Sequence, residues 1–148
     1  MTTSVHQEVI QITKEDLWQF IQDKGRWAVL IPGYLHHELP SAQQMIWVFQ
    51  GDFGIIQKAV KLQLDETASV EGEKLAFNLV GLSDNINGSG YFEMTPANGG
   101  SYSLTGSLTM TAGGFLAAMI NPVLEGFVPK TVEALVQAMA QEVSKVNN

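Results

Sequence analysis

Three adjacent side chains, His36, His37 and Glu38, form the densest group of potential metal ligands in the sequence. They lie in a stretch with the two-residue period of a strand, which turns His36 and Glu38 to one face and His37 to the other. At most two donors then converge, whereas protein metal sites take three or four. The spacing favours a polar strand face, and no metal is expected. His6 belongs to a separate predicted strand and would join the group only through the fold. General acid or base work has a wider field, because Asp52, Asp84, Glu38 or a tyrosine could act from inside a cavity. Asp52 and Asp84 fall in predicted turns, however, where solvation and turn capping are the ordinary roles. Nucleophilic catalysis finds no support: the chain has no cysteine and no Gly-x-Ser-x-Gly turn, and its Ser and Thr recur on the wet side of strands. No catalytic residue and no cofactor are assigned.

Composition narrows the partners. Fifteen acidic against eight basic residues leave a formal charge of −7, and the basic ones are spread from Lys14 to Lys145 without a run. That field repels phosphate backbones and anionic headgroups, so nucleic acid is not expected and membrane contact is peripheral at most. At 148 residues and 45% hydrophobic, the chain fits one domain, residues 1–148, long enough to enclose a sizeable core. The longest apolar stretch, Gly113 to Leu124, is interrupted by Asn121 and Pro122 and falls short of the ~20 residues of a membrane span. The opening MTTSVHQEV lacks a basic start followed by an apolar run, which fits a cytoplasmic protein.

The elements that must position these groups follow from periodicity. Residues 4–12 mix polar and β-branched side chains and read as a strand. Thr13 then N-caps a helix, with Glu15 and Asp16 at the positive end of its dipole and Leu17, Phe20 and Ile21 as its apolar face. Gly25 ends or kinks it, and a second short helix runs into Pro32-Gly33. From Tyr34 to Ala112 the period is two. Turn signals at Pro40-Ser41, Gly51 to Gly54, Glu71-Gly72, Ser83 to Asn85 and Asn98 to Gly100 divide the stretch into five or six strands. A last connection symmetrical about Asn98 would set Gly90 opposite Gly106 and leave a gap in the sheet's inner face. From Gly113 the period turns helical. Leu124, Val128, Val132, Leu135, Met139, Val143 and Val146 form a stripe that covers the sheet, with a break expected near Asn121-Pro122.

The stretch KEDLWQFIQDKGRWAVLIPGY resembles the signature of the CoxG-like branch of the START-like, or SRPBCC, superfamily, a branch associated with carbon monoxide dehydrogenase, through Trp18, Asp23 and Ile31-Pro32-Gly33. Further matches are Gly51 before the bend at Asp52-Phe53, the NGSGYFEM strand, and the run from Gly113 to Ala117 before the last helix. The resemblance implies an α+β helix-grip fold: a curved antiparallel sheet of six or seven strands wrapped around a long C-terminal helix, with two short helices after the first strand. Members of that superfamily enclose lipids, sterols, polyketides, hormones or quinone-like molecules between sheet and helix, while others are cyclases, oxygenase subunits or chaperone activators.

On that expectation the ligand-binding positions are Trp27, Ile31, Tyr34, Trp47, Phe49, Phe77, Leu79, Gly90, Phe92, Tyr102, Gly106, Leu108, Phe115, Met119 and Leu124. Tyr34, Tyr102, Asn78 and Arg26 are the polar candidates for orienting a ligand. Each apolar position taken singly also fits plain core; as a group they fit the apolar walls of a small-molecule site. The leading reading is a protein that binds or carries a hydrophobic small molecule, such as a lipid or quinone, with a redox enzyme as one partner the resemblance leaves open. The alternatives are a cyclase- or hydratase-type enzyme acting on such a ligand, and a docking module for a larger partner.

Overall fold

In a computed structural model the described residues are 1–53 and 57–146. The chain begins with β1 (Thr2–Gln11), α1 (Lys14–Gln22) and α2 (Lys24–Ala28). Six strands follow: β2 (Tyr34–Ser41), β3 (Gln44–Asp52), β4 (Gln57–Val70), β5 (Lys74–Gly81), β6 (Ile86–Pro96) and β7 (Ser101–Ala112). The long helix α3 (Ala117–Val146) closes the order. All seven strands form one antiparallel sheet in the order β1-β7-β6-β5-β4-β3-β2, with β1 and β2 at its edges. This is the helix-grip architecture expected from the sequence.

The cap of α1 is the one anticipated: Thr13 is extended, and its hydroxyl accepts a 3.2 Å bond from the Asp16 amide. The break with α2 falls at Asp23, two residues before Gly25, and Gly25 lies inside α2. Gly33 has φ +77°, and a Cβ there would collide with the Gln50 carbonyl, whose own amide donates to the Gly33 oxygen at 2.7 Å. Only glycine lets the chain turn this tightly from α2 into the sheet. Lys24, 4% exposed, donates to the Ala42 carbonyl at 2.9 Å and pairs with the Glu66 carboxylate, fastening α2 to the β2–β3 turn and to β4.

One face of the sheet is apolar from Met45, Trp47 and Phe49 through Leu62, Leu64, Leu75 and Phe77 to Phe92, Met94 and Leu104, all buried. Against it lies α3, which presents Leu124, Val128, Val132, Leu135, Met139 and Val143 as the expected stripe and packs chiefly on β1 and β7. The helix is continuous through Pro122 and Pro129, so the expected break near Asn121-Pro122 does not occur. Both prolines are exposed, seven residues apart on the outer side, where carbonyls freed of their amide partners can bond to water.

The β6–β7 register also departs from expectation. The turn centres on Gly99, with φ +71°, not on Asn98; the Ala97 amide bonds the Ser101 carbonyl at 2.9 Å and Pro96 pairs with Tyr102. Every pair is thereby displaced by two: Phe92 faces Gly106, and Gly90 faces Leu108. The two glycines do not oppose each other. A Cβ on Gly90 would meet the Phe77 ring at 2.8 Å, and one on Gly106 would collide with Val136. Each glycine makes room for a neighbouring side chain, so the gap is filled.

Candidate ligand-binding site

Between the sheet and α3 lies an enclosed, almost wholly apolar cavity of about 30 Å³. Its sheet wall includes Trp47, Phe49, Phe77, Leu79 and Phe92, with Gly106 and Leu108 from β7 and Ile31 from the end of the helical segment. Those eight are sequence candidates. The volume is an order of magnitude below the ~300 Å³ at which small-molecule sites begin, because the rings of the inner face interlock. Trp27 is the hub of that packing. It is fully buried one layer behind the lining, 5.5 Å from Trp47, 4.9 Å from Phe92 and 6.4 Å from Phe77 between ring centroids. Its indole N–H is satisfied by the Ile21 carbonyl at 2.9 Å, and that of Trp47 by the Ala28 carbonyl at 2.9 Å, so both rings are held by the α1–α2 segment.

Periodicity does not single out the helix side of the cavity. Phe127, Thr131, Val132, Leu135 and Val136 form it, and Leu62, Met110 and the buried Ser107 complete the sheet side. Val132 and Leu135 belong to the recognised stripe; Phe127, Thr131 and Val136 sit on the same buried face one position away from it. Phe127 and Thr131 have a second aspect, since both also line an open groove of about 700 Å³ bounded by Pro32, Gly33, Gln50, Asp52 and Lys130. These two side chains are the partition between cavity and groove. Phe127 is held there by Phe49, stacked at 6.2 Å, and by Phe53 at 4.9 Å. Thr131 is the one buried threonine among the described residues, and it lies on that partition.

Several sequence candidates lie elsewhere. Phe115 and Met119 project into solvent and are not part of any interior: Phe115 precedes α3, and Met119 lies on the outer side of its first turn, away from Asn121, which bonds the end of β7. Leu124 is fully buried beneath α3 outside the cavity lining, and Gly90 lies under the Phe77 ring. Tyr34 and Tyr102 are half-buried at the margin of the core. Tyr34 shares a 2.7 Å hydrogen bond with His37 Nδ1 and does not reach the cavity. Asn78 is on the outer face, and Arg26 stacks over the Phe20 ring at 4.8 Å.

The histidines divide as strand geometry requires. His36 and Glu38 share the outer face 3.7 Å apart, while a bulge in β2 brings His37 to the side of Tyr34. His6 lies on the inner face opposite Gly106 and bonds Glu8 at 2.6 Å. No group of three His, Cys, Asp or Glu is placed to hold a metal among the described residues. No helix among them is long and apolar enough to cross a membrane.

A family profile described as polyketide cyclase / dehydrase and lipid transport matches residues 1–144. The chain belongs to that family. Solved structures of the same fold include a conserved protein from Geobacillus kaustophilus, 20% identical with a TM-score of 0.77 over 97% of this chain and 95% of that one. A START superfamily protein from Mycobacterium smegmatis is 12% identical, with a TM-score of 0.74 over 99% of both chains. The Zhui aromatase/cyclase from Streptomyces sp. R1128 is 13% identical, with a TM-score of 0.71 over 99% of this chain and 95% of that one. No curated protein sequence matches. At such identities the likeness carries the fold; what this member of the polyketide cyclase and lipid transport family does must be argued from its own site.

Proposed function

We propose that this protein binds and carries a hydrophobic small molecule, a lipid, a quinone or one of similar character, between the sheet and α3. The observation that carries the reading is the partition: an apolar interior and an open, partly polar groove are separated by only Phe127 and Thr131. The ligand enters from the groove as Phe127 swings aside and α3 yields on its β3 side, away from β1 and β7 where it is packed. Its apolar body then replaces ring–ring contacts, at ~25 cal/mol for each Å² it removes from water. Its polar end stays near Thr131 and the groove. The resemblance of Trp18, Asp23 and Ile31-Pro32-Gly33 to the CoxG branch supports service to a redox enzyme.

A second reading, a cyclase- or hydratase-type enzyme, draws on the family's description and on the Zhui fold likeness. The ionisable group best placed for it is His6, on the inner face beside Gly106. Against it, the cavity lining among the described residues contains no ionisable side chain.

Titration with a panel of a quinone, a sterol and a fatty acid, read by tryptophan emission, tests the proposal. Trp47 lines the cavity and Trp27 packs against Trp47 from behind, so saturable quenching that persists in Trp18→Phe is expected. Phe127→Ala should speed both uptake and release while costing about 3 kcal/mol of stability. No response to the panel by folded protein would remove the proposal; turnover of a bound ligand that is lost in His6→Ala would replace it with the enzyme.

A further inference from the structure

We infer that the end of the molecule bearing the groove rests on a neutral lipid surface through an apolar tip formed by Phe115, Leu116 and Met119. These side chains are 99%, 48% and 73% exposed, and they are clustered on the connection from β7 into the first turn of α3. Leu82, also exposed, is on the β5–β6 hairpin next to them, where the Gly113 amide donates to the Asn85 carbonyl at 2.9 Å.

Strand direction sets this tip at the mouth. The antiparallel order puts the end of β7, the β5–β6 hairpin, the end of β3 and the start of β2 at one end of the sheet. Asp52 ends β3, and Pro32 and Gly33 precede β2, so the groove opens at that same end. Cargo leaving past Phe127 would emerge beside the tip.

Chemistry decides what the tip meets. Residues 94–124 contain no Asp, Glu, Lys, Arg or His, the longest such interval in a chain otherwise carrying −7. On the adjoining hairpin, Asp84 is matched by Lys58 at 3.4 Å. An uncharged tip on an acidic molecule suits a zwitterionic bilayer and disfavours an anionic one. A protein partner needs more surface. At roughly 200 Å² for a fully exposed side chain, the exposures of Phe115, Leu116, Met119 and Leu82 together amount to about 530 Å², below the ~800 Å² per partner in a stable protein interface. Shallow, reversible insertion of Phe, Leu and Met into the headgroup boundary needs only such a tip.

The inference gives the carrier reading a place to load and unload, but it is measured without cargo, so either can fail alone. Flotation of the full chain with phosphatidylcholine vesicles should carry protein upward in proportion to lipid. The pair Phe115→Ser with Met119→Ser should lower partitioning about tenfold at an unchanged melting temperature, since neither side chain packs inside. Leu35→Ser with Leu39→Ser, exposed on edge strand β2, should leave it unchanged. Phosphatidylserine in the vesicles should weaken binding at low salt, with recovery as salt is added. Failure of the native chain to float would overturn the inference, as would equal flotation of the tip variant. A self-associating native chain that the tip substitutions render monomeric would instead make the tip an interface between copies.

Discussion

At the scale of single residues, Gly106 separates what packing demands from what a ligand would use. It pairs with Phe92 across β7 and β6, lines the cavity, and leaves no room for a Cβ against Val136. Gly106→Val therefore forces α3 away from the sheet and should lower stability by about 1–3 kcal/mol, measured by thermal unfolding. A stable variant would mean that the interior holds more free space than the close approach to Val136 allows. Most inner-face residues are legible from alternation alone, since Trp47, Phe49, Phe77, Leu79 and Phe92 fall on strand positions with a fixed parity. Gly90 and Gly106 are legible as inward residues but not as partners. Pairing depends on the centre of the turn, and Asn98, Gly99 and Gly100 offer neighbouring choices that the backbone resolves at Gly99. Phe115 and Met119 fit an interior by apolarity alone, and nothing in a local pattern distinguishes an apolar tip from an apolar wall.

Among the elements, α3 does most to define the site, and its anchorage is polar. The Asn121 side chain both accepts from the Ala112 amide at 2.8 Å and donates to the Ala112 carbonyl at 3.0 Å, standing in for a strand neighbour at the end of β7. Asn121→Ala leaves both backbone groups without that partner and should cost about 2 kcal/mol in urea unfolding. Retention of full stability would show that this anchor is dispensable. The same bonds explain why the predicted break at Asn121-Pro122 is absent: the first turns are fixed to the sheet on one side, while the prolines face solvent on the other. The capped α1, the short α2 and the long apolar stripe are plain in the sequence, because each rests on spacing within one element. The partition of the cavity depends on two helix residues meeting β3 and the β2 entry, which spacing cannot reveal.

For the whole molecule, an acidic surface encloses an apolar interior that is nearly full in the closed form, and both the groove and the uncharged tip are at one end. The family and the fold define where a ligand is to be sought; a cavity of about 30 Å³ means that the protein must open to take one. Binding and a shift of α3 are thus one event. Methyl-resolved nuclear magnetic resonance of the full chain, titrated with the panel lipophile that quenches Trp47 most strongly, follows both at once. Saturable shifts are expected in the methyl groups of Leu62, Leu79, Leu135 and Val136, with Leu35 and Leu39 on the exposed edge strand unmoved. Saturable binding whose shifts are confined to Leu35, Leu39 or other outer positions, with the interior methyls unchanged, would contradict it.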